Sequence, residues 1–159
     1  MFDLFNGLPV HPLVVHAVVA LLPMAVLGTI AIAVVPRWRR RFGVLVLGIT
    51  AAAVVAIPVA TESGEALEQR VGDPGQHAEL GDQLIWFALP LLVLVAVMMW
   101  LERRSRRADE APGDSRRGLA LIVAVLAVVV GVANLVQVYR VGDSGAQAAW
   151  GDQVTAGTK

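Results

Sequence analysis

Gly118-Leu-Ala-Leu-Ile-Val-Ala-Val-Leu-Ala-Val-Val-Val-Gly-Val-Ala-Asn-Leu-Val-Gln-Val-Tyr139 contains no Asp, Glu, Lys or Arg. A helix of this length reaches about 33 Å at 1.5 Å per residue, enough to cross a hydrocarbon layer of roughly 30 Å. Three further stretches share the property: Val10–Val35, Phe42–Thr61 and Leu84–Leu101. The sequence therefore predicts an all-α fold, an integral membrane four-helix bundle forming one membrane domain over residues 1–159. The composition agrees, with 57% hydrophobic and only 16% charged residues, outside the range of soluble domains.

The charges are segregated although their sum is +0. Arg37, Arg39, Arg40 and Arg41 lie between the first two stretches, and Arg103, Arg104, Arg106, Arg107, Arg116 and Arg117 between the last two. These two connections are read as loops, and together they hold ten of the thirteen basic residues. The positive-inside rule puts them in the cytoplasm and predicts a multi-pass protein of the bacterial cell membrane with both termini outside the cytoplasm. Membrane lipids are then the expected surroundings, with a redox membrane complex or a second copy as the expected protein partner. A neutral chain offers nothing to a nucleic acid.

No cysteine is present, which excludes disulfides, iron–sulfur ligation, thiolate zinc sites and covalent c-type haem attachment. No Lys or Arg precedes the first apolar stretch, so the first segment reads as a retained helix rather than a signal peptide. Phosphate-loop, dinucleotide, serine-nucleophile and kinase signatures are absent. Pro23, Pro58 and Pro90 fall inside three of the spans and are expected to kink them.

An internal repeat stands out. Arg70-Val-Gly-Asp-Pro-Gly-Gln-His-Ala-Glu-Leu-Gly-Asp-Gln83 matches Arg140-Val-Gly-Asp-Ser-Gly-Ala-Gln-Ala-Ala-Trp-Gly-Asp-Gln153 at nine of fourteen positions. Each copy follows an even-numbered span, which suggests two duplicated hairpins, about 1–83 and 84–159, related by an axis along the membrane normal. Gly72 and Gly142 stand where a helix end favours a left-handed residue, and Asp73-Pro-Gly-Gln76 has the order of a helix start. The motif thus predicts a tight turn in both copies, with the third helix starting near Pro74 and a short separate helix from about Ser144.

Candidate chemistry collects on the extracytoplasmic half. With Pro12 at the first position of the first helix, His11 sits at its mouth and His16 just over one turn inside. Five residues turn a helix by about 140°, so the two face different ways. Glu62, Glu65 and Glu68 recur every third residue at the end of the second span, and Asn134 and Gln137 lie three apart in the fourth. Polar groups in an apolar span are expected to face the bundle interior. One cluster of His16, Thr61, Glu62, Glu65, His77, Asn134 and Gln137 follows as an expectation. Its metal ligands would be His16, His77, Glu62 and Glu65, since imidazole and carboxylate suit Zn, Fe, Mn or Cu. His11, His16 and His77 are the cofactor-binding candidates, and two histidines on different helices suit haem iron. The cofactor is then haem b or a transition-metal ion. The competing reading of each histidine is a helix–helix hydrogen bond or a solvated surface group.

Leu8-Pro-Val-His11-Pro-Leu-Val-Val-His16, Thr61-Glu-Ser-Gly-Glu65, His77 four residues before Gly81, and Arg140-Val-Gly-Asp-Ser-Gly-Ala146 together resemble an uncharacterised bacterial family of predicted four-span membrane proteins, a domain of unknown function. The resemblance covers nearly the whole chain. It departs after His16, where the family commonly has Phe-Pro and this chain has Ala17-Val18. Relatives joined to redox domains imply electron transfer or metal association. Two main readings follow: a small membrane protein binding haem or metal through an extracytoplasmic His/Glu cluster, or a non-catalytic scaffold or accessory subunit of a membrane complex. A third, an ion-conducting oligomer, is disfavoured by spans almost free of ionisable groups. No catalytic residue is assigned.

Overall fold

The computed structural model describes residues 4–5, 8–72, 75–107 and 114–156. A short antiparallel ladder, β1 (Leu4–Phe5) with β2 (Leu8–Pro9), leads into four long helices: α1 Val10–Val34, α2 Pro36–Val71, α3 Gln76–Arg107 and α4 Asp114–Ala156. All four are long and apolar enough to cross a membrane. The helix α1 packs on α2 and α4, and α3 on the same two, so α1 and α3 stand diagonally across the bundle.

Two apolar layers fill the centre. Val18, Leu22, Val26, Ala53, Ile57, Leu84, Ala88 and Leu91 form one; Ile32, Val46, Val95, Met98, Val123 and Ala127 form the other, nearer the arginine-rich end. The outside is equally apolar. Leu27, Val44, Val55, Val93, Leu121 and Val129 are all exposed, a surface that lipid solvates and water does not.

The helices α2, α3 and α4 run past the predicted spans. At 43 residues α4 extends about 65 Å, twice the hydrocarbon thickness. The stretch 36–41, expected as a loop, is the start of α2: Val35 is extended and Pro36 takes the first helical position, where its missing N–H leaves no bond unmade. Arg39 is buried and turns back to donate from Nε to Ile32 O at 3.0 Å and from Nη2 to Ala33 O at 3.2 Å, covering carbonyls that the end of α1 leaves unpaired. Glu102 accepts from Arg40 at 3.0 Å and Arg106 at 3.2 Å, tying α2 to α3 at this end. The helix α1 likewise begins at Val10, two residues before the expected Pro12.

The sequence repeat does not mark equivalent places. Its first copy spans the α2–α3 turn, where Gly72 (φ 98°) and Gly75 (φ 59°) occupy backbone that other residues avoid. The proposed helix start at Asp73 and Pro74 lies outside the described residues. The second copy is helical throughout its described length, inside α4, so neither the expected turn at Gly142 nor a separate helix from Ser144 exists. The sequences explain the difference. Proline both lacks an N–H and disfavours helix at the residue before it, and the second copy carries Ser144 in place of Pro74.

Candidate functional site

The end of the bundle opposite the arginines holds two histidines in matching settings. His11, in the first turn of α1, points its Nδ1 at Ala60 O of α2, 2.9 Å away. His77, in the first turn of α3, points its Nδ1 at Val141 O of α4, 3.0 Å away. A carbonyl oxygen can only accept, so in each neutral ring Nδ1 carries the proton and Nε2 keeps its lone pair. The hydrogen bond fixes the tautomer, and Nε2 of each ring has no hydrogen-bond partner among the described residues.

Each carbonyl, which also faces the helix N–H four residues on, has a second side-chain donor. Ser63 Oγ donates to Ala60 O and Ser144 Oγ to Val141 O, both at 3.0 Å. The hydroxyls lie 3.4 and 3.5 Å from the respective Nδ1 atoms. The next residue in each case is a glycine. A Cβ on Gly64 would meet His11 Cε1 at 3.0 Å, and one on Gly145 would meet His77 Cε1 at 2.9 Å. Both rings therefore lie against bare helix backbone, a closeness that any side chain at 64 or 145 would disturb.

The two rings meet between the diagonal helices. Their centroids are 6.4 Å apart and their planes cross at 78°. Both line a cavity of about 520 Å³ whose walls come from all four helices. Val15, Val18, Ile57, Leu84 and Val138 make it apolar, and Gly64, Gly81, Gly145, Ala148 and Ala149 leave it wide. Glu65, Glu68 and Asp82 also border it. Arg70 and Arg140 stand next in sequence to the lining residues Val71 and Val141 and bring positive charge to the same end.

The expected seven-residue cluster separates into three groups. Thr61, Glu65 and His77 line the cavity, joined by His11. His16 is exposed and its ring bonds Pro12 O of its own helix, while Glu62 is exposed and outside the lining. Asn134 and Gln137 are buried in the α3–α4 seam, donating to Phe87 O at 2.8 Å and Leu80 O at 3.0 Å. Among the described residues no three His, Asp or Glu gather as a metal site would require. The grouping of His16 and His77 with Glu62 and Glu65 is therefore not formed, because α1 turns His16 away when it turns His11 inward.

Ser63, Ser144, Gly64 and Gly145 lie in two of the stretches that carry the family resemblance, but the sequence assigns none of them a place at the site. Their signal is the short match of Glu62-Ser-Gly64 to Asp143-Ser-Gly145, overshadowed by the longer repeat beside it.

Residues 7–158 match the model of the family described as "Predicted membrane protein (DUF2231)". No curated protein and no solved structure matches the chain. The match covers nearly the whole sequence, and the chain belongs to this family of membrane proteins.

Proposed function

We propose that this DUF2231 membrane protein binds one haem b in the cavity between its four helices, where His11 and His77 are the residues that would hold it, and serves as a one-electron carrier. The observation that supports this most strongly is the pair of rings on diagonal helices, each with Nδ1–H tied to a backbone carbonyl and Nε2 free. Two imidazoles that held one metal ion between them, with metal–nitrogen bonds of about 2.0 Å, would have ring centroids about 6 Å apart. The observed 6.4 Å agrees. A bare metal ion needs a third or fourth protein donor, whereas a porphyrin supplies four nitrogens of its own and asks the protein for two.

When bound, haem supplies a ferric/ferrous couple. The protein's part is to hold the ligands, fix their tautomers and keep an apolar wall around the ring, which tunes the potential by burial and hydrogen bonding. In the same reading the two hairpins are copies of one unit, related by an axis along the membrane normal; the recurrence of His, carbonyl, Ser and Gly supports this. The arginine distribution supports a cell-membrane location with the histidine end and both termini extracytoplasmic. A redox membrane complex is the natural electron partner.

The scaffold reading has one observation in its favour: each ring already has an internal hydrogen bond, as a structural histidine would. Purification from a haem-competent host, followed by an absorption spectrum and metal analysis, separates the two. Haem binding gives a Soret band and one iron per chain; a colourless, iron-free protein overturns it.

A further inference from the structure

The serines that share the histidines' carbonyls carry a consequence for the potential of the site. Ala60 O receives both His11 Nδ1–H and Ser63 Oγ–H, and Val141 O receives both His77 Nδ1–H and Ser144 Oγ–H. Each carbonyl lies inside a continuous helix, where the N–H four residues on, at Gly64 or Gly145, also points to it; three donors then share two lone pairs, and each withdraws density from the others' bonds. The hydroxyl is turned to the carbonyl at 3.0 Å rather than to the ring nitrogen at 3.4–3.5 Å, so it competes with the imidazole for one acceptor. The arrangement occurs twice, on different helix pairs, and in both a glycine follows the serine to let the ring approach.

We infer that Ser63 and Ser144 are positioning residues that weaken the Nδ1–H···O=C bonds of His11 and His77 and so limit the donor strength of both imidazoles. A stronger bond at Nδ1 makes Nε2 more basic and a metal ligand more electron-rich, which favours the ferric state. The hydroxyls therefore hold the reduction potential up. This rests on the haem reading for its redox effect, while the hydrogen-bond effect is a property of the protein alone.

The two parts are measured separately. In apo protein labelled with 15N-histidine, Ser63→Ala moves the His11 Nδ1–H proton resonance downfield and leaves that of His77 in place; Ser144→Ala does the reverse. In haem-loaded protein each variant keeps its Soret band and shifts the ferrous/ferric equilibrium toward ferric by up to about tenfold, 59 mV for a one-electron couple. Ser63→Thr retains the hydroxyl and restores wild-type values in both readouts, which a loss of packing alone would not do. An unchanged or upfield proton shift overturns the inference, and so does an unchanged or raised potential with the Soret band intact. Wild-type protein that takes up no haem overturns the haem reading, and the proton shifts then decide the inference by themselves.

Discussion

The hairpin α1–α2 and the hairpin α3–α4 carry the same contact set at one end and differ almost everywhere else. Ser63-Gly64 and Ser144-Gly145 are 81 positions apart, and each pair holds the histidine of its own hairpin. Counting by the same 81 positions, Asn134 and Gln137 correspond to Ala53 and Ala56. The second hairpin is stitched by two amide-to-carbonyl bonds, while at the corresponding positions the first carries alanines, Ala53 packing in the apolar core. The first hairpin closes on Gly72, whereas α4 continues to Ala156. What the two hairpins share is where a common task is to be sought, and here they share a histidine fixed by a carbonyl, a serine and a glycine.

The largest effect is expected at the two cavity histidines. His11→Ala and His77→Ala should each abolish haem retention, exceeding the roughly 10–100-fold losses typical of outer partners; retention in either variant, read from the Soret band, breaks the equivalence of the halves. Next come Gly64→Ala and Gly145→Ala. Their methyl groups would stand 2.9–3.0 Å from ring carbons, and such overpacking costs about 1–3 kcal/mol. Thermal unfolding in detergent should show a similar loss for both, and a loss in only one would mean that the halves hold their rings differently.

Smaller effects test the differences. Asn134→Leu removes the bonds to Phe87 O and, within its own helix, Val130 O, but also its own buried Oδ1, which lacks a partner among the described residues. Gln137→Leu removes only a satisfied group. Polar contacts between membrane helices average about 0.6 kcal/mol, so Gln137→Leu should destabilise by about that much and Asn134→Leu by less; equal losses would show that the orphan oxygen is met by water. The smallest effect is expected at His16. Its exposed ring touches only its own helix, and His16→Ala should fall within about 0.5 kcal/mol of wild type with an unaltered spectrum.

The four spans are legible because the bilayer imposes a length and a composition that nothing else in the chain imitates. Where the helices end is not, since arginine is a good helix former and 36–41 and 102–107 continue as helix beyond the hydrocarbon. The long repeat misdirects the alignment of the halves: identity at Arg70–Gln83 and Arg140–Gln153 records local sequence, but spatial equivalence is set by which helix packs on which. That His11 rather than His16 lines the cavity is not legible for a related reason. The 140° between them follows from the sequence; which of the two faces α2 depends on the packing of Val18 and Leu22 against Ile57 and Ala60. The serine and glycine roles depend on a carbonyl, which no side-chain motif announces.

The crossing of the two rings gives the most direct test. In the haem reading, imidazole planes kept at 78° would leave the two iron d orbitals that they perturb nearly equal in energy, and a low-spin ferric centre would then have a strongly anisotropic g tensor. Electron paramagnetic resonance of the oxidised, haem-loaded protein should show that signal at one spin per chain, absent from His11→Ala and His77→Ala and unchanged in His16→Ala. A high-spin signal, no haem signal, or a low-spin signal lost with His16 in place of His11 would contradict the account.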